Sequence, residues 1–264
     1  MQLFKETFKP VLRYFNDPAF REYLRVKKKC RRTKSGDPVT LKISGFSIET
    51  NNASSFLHLY EEIVVGGAFD IDLKNNSPVI ICAGANIGIE LFLLSKKYPS
   101  GRIIAYEADA HYAALLRKNI ARNKISNVEL NEAAVWTFNG KIPFESDGGL
   151  GGKAGNAGKD VVAVDFLAEL KKHQSIDLLL MDVEGAEFNI FQHCKNELYR
   201  IRNLFVEWHG REKEPQQLPE FLTMISSSGF RYRLDNKLPV SPFKNRLVEN
   251  GFDAMTGIYA HRPE

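Results

Sequence analysis

One stretch constrains this chain more than any other: Val79-Ile80-Ile81-Cys82-Ala83-Gly84-Ala85-Asn86-Ile87-Gly88-Ile89-Glu90-Leu91. Val79 to Ala83 is an apolar run of strand length. The chain then passes Gly84 and Gly88, and a longer apolar run extends from Ile87 to Leu94. Buried strand, glycine turn and buried helix is the simplest reading of that order. Such a turn brings backbone N–H groups and a helix N-terminus close to a ligand above the strand. Gly84 and Gly88 have no side chain to hold that ligand off.

The spacing narrows the ligand. A dinucleotide fingerprint requires Gly-x-Gly-x-x-Gly. Here Asn86 stands at the second glycine and Ile89 at the third, which argues against a pyrophosphate cradle. Glu107 closes the next strand-like run, Arg102 to Tyr106, about where a carboxylate takes ribose hydroxyls in alternating α/β units. A nucleoside without a pyrophosphate fits, and S-adenosylmethionine is the commonest cofactor of that kind. The plainer alternative is a ligand-free βα turn with Glu107 as a helix-capping acid.

Three blocks carry a more specific signal. Gly84-Ala85-Asn86-Ile87-Gly88, Tyr106-Glu107-Ala108 and Met181-Asp182-Val183-Glu184-Gly185-Ala186-Glu187 stand in this order. Together they resemble the FkbM family of S-adenosylmethionine-dependent methyltransferases, over roughly Phe46 to Tyr232. The resemblance implies a Rossmann-like class I methyltransferase: a doubly wound, mostly parallel, seven-stranded sheet. It also implies an acceptor hydroxyl on a sugar, glycan or glycolipid. The chain departs from the family at Cys82, where the family carries Asp, an acid that helps order the methionine end of the cofactor in related enzymes.

Periodicity along the chain supports such a fold. Strands are expected at 79–83, 102–107, 127–131, 176–181 and 203–207, with helices at 87–97, 110–123, 165–172, 186–199 and 217–228. Asp109 is a candidate N-cap. Late strands at 230–234 and 255–260 would form an antiparallel end. Residues 76–264 are read as the methyltransferase domain and 1–75 as a helical and hairpin extension packing on it. That extension has a helical pattern from Met1 to Cys30 broken at Asp17-Pro18, a hairpin over Val39 to Thr50 turning at Ser44-Gly45, and a helix over Ser54 to Val65. The segment from Asn139 to Gly158 is rich in glycine (Gly140, Gly148, Gly149, Gly151, Gly152, Gly155, Gly158) and is expected to be a mobile loop at the ligand edge, either a lid or an inconsequential insertion.

Composition excludes several classes. Three scattered cysteines, Cys30, Cys82 and Cys194, indicate neither a disulfide framework nor a zinc site. No apolar run reaches the roughly 18 residues that span a bilayer, and the first residues lack a signal-peptide core. A soluble, cytoplasmic protein is expected. The net charge of +4 is too mild to imply nucleic acid. Lys27, Lys28, Lys29, Arg31 and Arg32 form a local basic run. The plain reading is a solvated helix end; the functional one is peripheral contact with a membrane or a lipid-linked substrate.

Methyl transfer to a hydroxyl requires alignment and a proton acceptor. Two polar clusters fall at expected strand tips: Asp182 with Glu184, and Glu207 with His209. Neighbouring parallel strands would bring them together. His209 is expected to be the general base, acting as a neutral imidazole. Asp182 is expected at the cofactor's methionine end or on the acceptor, with Glu184 and Glu207 holding acceptor hydroxyls or polarising His209. The bland alternatives are a structural histidine and acids that stabilise a helix N-terminus. Trp208 is read as either a sugar-stacking ring or core. Backbone contacts to the adenosine are expected from Gly84, Ala85 and Gly88. Asn86 is placed at the methionine moiety, Glu107 at both ribose hydroxyls, and Glu132 to Ala134 beside the adenine. Carboxylates and a histidine could hold Mg²⁺, but the spacing demands no metal. Two other functions remain open: a nucleic-acid methyltransferase, suggested by the basic run, and a degenerate binding protein, suggested by Cys82.

Overall fold

A computed structural model describes residues 17–146, 152–154, 158–211, 215–236, 252 and 254–263. The sequence pattern over residues 1–16 lies outside them. The chain divides into two compact units, one running to Ile71 together with Lys118–Lys124, the other comprising Asp72–Arg117 and the chain from Ile125 onward.

In the first unit, α1 spans Pro18–Arg32. Asp17 caps it, its Oδ1 accepting from the Phe20 N–H at 3.0 Å, and Pro18 occupies a first-turn position where a missing N–H costs nothing. Strands β1 (Val39–Ile43) and β2 (Phe46–Thr50) form an antiparallel hairpin. Its turn residues Ser44 and Gly45 are both left-handed, at φ 50° and 96°, the geometry that matches strand twist in a two-residue turn. Glu22 of α1 accepts from the Ser44 N–H at 2.9 Å and from the Tyr60 hydroxyl at 3.1 Å. Helix α2 (Ala53–Tyr60) is capped by Asn52 and runs on into a π-helical turn, Glu61–Val65. Two of the basic side chains are engaged internally. Lys27 pairs with Glu61 at 2.9 Å, and Lys29 donates to the Thr40 carbonyl at 2.7 Å.

The outer edge of β2 is completed by side chains. Asn119 Oδ1 accepts from the Glu49 N–H at 2.8 Å while its Nδ2 donates to the Glu49 carbonyl at 2.9 Å. Four residues later, Asn123 repeats the pattern on Ser47, at 2.8 and 3.0 Å. The last turn of one helix and the residue just past it thus supply two amides that substitute for a missing strand.

The second unit is the α/β body. Its first elements are β3 (Val79–Ala83), α3 (Ile89–Lys97), β4 (Arg102–Tyr106), α4 (Ala110–Arg122) and β5 (Val128–Asn131). After four further strands come α5 (Phe166–Lys171), β10 (Ile176–Met181), α6 (Glu187–Cys194), β11 (Ile201–Gly210), α7 (Leu218–Ser227), β12 (Arg231–Asn236) and β13 (Ala254–His261). The seven-stranded sheet has the order β12-β13-β11-β10-β3-β4-β5, and only β13 runs against its neighbours. This is the mostly parallel, doubly wound sheet that the alternation predicted. Every residue of β10 is buried, as expected of a central strand covered on both faces. Asp109 caps α4 through the His111 N–H at 2.8 Å. Trp208 is core: its ring lies 4.8 Å from that of Phe221 and edge-on to Phe188.

The glycine-rich segment differs from expectation. It contains β7 (Gly140–Ser146) and β8 (Gly152–Ala154) and leads into β9 (Lys159–Asp165); these join β6 (Ala134–Trp136) in a four-stranded sheet of order β6-β9-β7-β8. Pairing overrides the entropic cost of the glycines, because β7 and β9 have alternating residues such as Ile142 and Ala163 to bury. Residues 147–151 and 155–157 lie outside the described set.

Among the described residues, no helix is long and apolar enough to cross a membrane. Asn119 is itself fully buried, and Asn119→Ala removes the side-chain partners of both the Glu49 amide and its carbonyl. A loss of about 2 kcal/mol is expected in urea unfolding of the full chain, and a loss below about 0.5 kcal/mol would contradict the strand-mimic role.

Candidate active site

The chain leaves β3 toward β4 and β5 on one side and returns to β10 and β11 on the other. Sheets of this kind open a crevice at such a reversal, beyond the strands' carboxyl ends. Ala83 and Met181 are the last register pair of β3 and β10. Beyond them, the Asp182 N–H donates to the Ala83 carbonyl at 2.9 Å. Gly84 then lies directly on the next peptide, at φ +86°. A Cβ there would stand 1.8 Å from the Asp182 carbonyl oxygen. Gly88 is also left-handed, and a Cβ on it would meet Leu116 at 2.6 Å.

The loop's amides do not reach outward as expected. Gly84 and Ala85 N–H both donate to the Tyr106 carbonyl, at 3.0 and 2.9 Å, and Gly88 N–H donates to Ala85 at 2.8 Å. Asn86 N–H donates to Glu107 Oε2 at 2.6 Å, and Ile87 N–H to Asn86 Oδ1 at 2.8 Å. The loop is a self-satisfied turn sewn to the end of β4. It offers a ligand close approach, not a nest of donors, and the Asn86 side-chain oxygen Oδ1 is turned onto its own loop.

Glu107 is the hinge of that arrangement. Its Oε2 takes the Asn86 amide and its Oε1 takes the Asp109 amide at 2.8 Å. Each carboxylate oxygen keeps a lone pair for a ribose hydroxyl. Burial pushes this carboxyl up to about 7, against the pull of the Asp109, Asn86 and Ala108 amides. Glu107 N–H donates to Asn131 at the end of β5, so residues 132–134 continue from the same edge. Ala134 begins β6 there, and Glu132 is paired with Arg117.

The second cluster gathers where β10 and β11 end. Glu207 and His209 share a face of β11, two residues apart, while Met181 pairs with Val206. The His209 side chain is 1% exposed. Its Nδ1 lies 3.0 Å from Glu187 Oε1, and its Nε2 faces Glu184 at 3.6 Å, Glu207 at 3.9 Å and Asp182 at 4.0 Å. All four residues expected to be catalytic are therefore brought together around one imidazole. Burial opposes its charge, but Glu187, by charge and hydrogen bond, then Asp182 and Glu184, overcome that and carry His209 up to about 10. This corrects the expectation of a neutral base: with four carboxylates about it, the ring keeps its proton. Asp182 moves the other way. Burial and the Glu207 charge raise its carboxyl well above the usual range. Its Oδ1 is sealed from solvent and has no hydrogen-bond partner among the described residues, although the side chain is 43% exposed through its other atoms.

Glu187 is the residue of this cluster to which the sequence pattern gave no role beyond its place in the Met181–Glu187 block. It does open α6, but it also accepts from the Gly185 N–H at 3.0 Å and anchors His209. Its place in the Asp182–Glu187 block was the available signal. Glu184 is left-handed at φ 55°, an uncommon conformation for a glutamate. That turn aims Glu184 and Glu187 at the same ring. Asp182, Glu187 and His209 each offer one ligand atom, all within 4.8 Å of one another. A divalent cation held there would displace the imidazole's proton.

Residues 83–232 match the model of the methyltransferase FkbM domain. The chain belongs to the FkbM methyltransferase family. It is 26% identical over 214 residues to methyltransferase sdnD of Sordaria araneosa, covering 65% of this chain and 81% of the relative. It is 25% identical over 171 residues to 2-O-methyltransferase NoeI of Sinorhizobium fredii, covering 56% of this chain and 70% of that protein. A methyltransferase FkbM structure from Methylobacillus flagellatus superposes with a TM-score of 0.52 at 13% identity, over 92% of this chain and 59% of the other. This FkbM-family chain is thus a methyltransferase that uses S-adenosylmethionine, on the class I fold.

The geometry gives this FkbM domain a titration signature at Glu107. An unfolded glutamate ionises near 4.3, about three pH units below the folded one. Between those values the folded state holds a proton that the unfolded chain has lost, so this group lowers stability as pH rises through the window, by up to ~1.4 kcal/mol per unit. Glu107→Gln is expected to raise the melting temperature of the ligand-free protein relative to the parent at pH 8 but not at pH 4.5. It should also weaken S-adenosylmethionine binding at least about tenfold. Unchanged calorimetric affinity would remove Glu107 from the ribose site.

Proposed function

We propose that this enzyme transfers the methyl group of S-adenosylmethionine to a hydroxyl of a sugar, glycan or glycolipid. The observation that supports this most directly is the juxtaposition of a nucleoside-binding loop with the Asp182–Glu184–Glu207–His209 cluster at adjoining strand ends. The relative named 2-O-methyltransferase favours oxygen as the acceptor atom. A cluster rich in carboxylates suits an acceptor that presents several hydroxyl donors.

Each residue then has a role. Glu107 and the close turn at Gly84 and Gly88 hold the adenosine. Bound there, the cofactor supplies a sulfonium-activated methyl group. Asp182 accepts the proton of the acceptor hydroxyl; burial and the Glu207 charge raise its affinity for that proton. Glu184 and Glu207 orient the acceptor. The His209 imidazolium positions the three carboxylates and offsets their mutual repulsion, and Glu187 fixes its ring.

Asp182→Asn is expected to lower kcat by about 10²–10⁴-fold while S-adenosylmethionine still binds, with S-adenosylhomocysteine release on hydroxyl-rich acceptors as the readout. Full turnover by this variant would move the proton acceptor elsewhere. Turnover should also survive dialysis against EDTA, whereas a loss reversed by Mg²⁺ would put a cation among Asp182, Glu187 and His209.

A further inference from the structure

Glu90 is not explained by the roles above. It lies in the first turn of α3, 9% exposed, among Ile89, Leu91 and Phe92, which are all buried. The side chain that donates to its carboxyl is the Cys82 thiol, with Sγ 3.6 Å from Oε1, and a thiol is a weak donor. The side-chain charge acting on it is the like charge of Glu107. Burial pushes Glu90 up to about 7. A carboxylate in such a place is costly unless a cation arrives to pair with it.

Its position says where that cation would come from. The Cys82 thiol at the end of β3 senses three carboxylates together: Glu90, Glu107 and Asp182. Glu107 is assigned to the ribose, and Asp182 to the reacting hydroxyl. The cofactor's remaining limb is an amino acid whose α-ammonium is a permanent cation near neutral pH, and Glu90 is the carboxylate left over to meet it. Resting on the cofactor site proposed above, we infer that Glu90 binds the α-ammonium of S-adenosylmethionine, so that this chain reads the amino-acid end of its cofactor from α3. The competing explanation, an acid that only complements the start of a helix, gives Glu90 no knowledge of the ligand.

Calorimetry with three ligands separates these. S-adenosylhomocysteine carries the ammonium, its des-amino analogue lacks only that group, and 5′-methylthioadenosine lacks the whole amino-acid limb. The unaltered protein should bind S-adenosylhomocysteine at least about tenfold more tightly than the des-amino analogue. Glu90→Gln should abolish that preference and leave 5′-methylthioadenosine affinity unchanged. In the Glu90→Gln background, Cys82→Asp places a carboxylate at the side chain that touches Glu90, and it should restore the preference. No preference in the unaltered protein, or equal losses for all three ligands in Glu90→Gln, would overturn the inference. The first comparison needs no variant, so a folding failure cannot shield it. If the unaltered protein binds none of the ligands, the cofactor site itself is refuted; if it binds all three equally, only Glu90 is.

Discussion

The backbone of Gly84 rests on the Asp182 peptide with no room for a single methyl group between them. Two strands that are neighbours in the sheet but far apart in sequence are thereby locked at their carboxyl ends. Everything chemical in the second unit is referenced to that contact. On one side of it the turn continues to Glu107 through the Asn86 amide. On the other, Asp182 leads into the Glu184-Gly185 turn and the imidazole. An alanine at position 84 would have to push β3 and β10 apart, moving the nucleoside end of the site away from the acceptor end.

Around this contact the protein concentrates negative charge in places where it is hard to solvate. Glu90, Glu107 and Glu187 are each at least nine-tenths buried. Their compensation differs. Glu107 is held by backbone amides, Glu187 by the Gly185 amide and His209, and Glu90 by its own amide and, among the described side chains, by the Cys82 thiol. Such an interior is poorly balanced without a ligand and well matched to a cofactor that carries positive charge on sulfur and nitrogen. The same logic explains the histidine. One imidazole among four carboxylates serves better as a fixed cation than as a proton shuttle, because a neutral ring would leave the carboxylates to repel each other at close range.

Much of this was legible from residue patterns. The apolar runs at 79–83 and 176–181, the glycines between strand and helix, and the acids at the strand tips are local signals, and the sheet places them as their spacing implied. What stayed hidden depended on partners distant in sequence. Nothing local to Gly140–Asp165 announces that β7 and β9 will pair, so glycine content alone suggested a loop. The proton on His209 follows from Glu187, 22 residues earlier, through a contact made only in the folded chain. The amides of Gly84 and Ala85 are consumed by the Tyr106 carbonyl, which no turn signature reveals. Asn119 and Asn123 look like ordinary helix-surface amides until β2 presents its unpaired edge to them.

On the proposed function, the crevice beyond β3 and β10 seats the nucleoside on Glu107 with the cofactor's sulfur turned toward Asp182 and His209. A crystal structure with S-adenosylhomocysteine bound measures this directly. The account predicts both ribose hydroxyls within hydrogen-bond distance of Glu107 and the sulfur facing the Asp182 carboxyl across a gap that a methyl group and an acceptor oxygen would fill. A ribose held elsewhere, or a sulfur on the far side of β3 from Asp182, would contradict it.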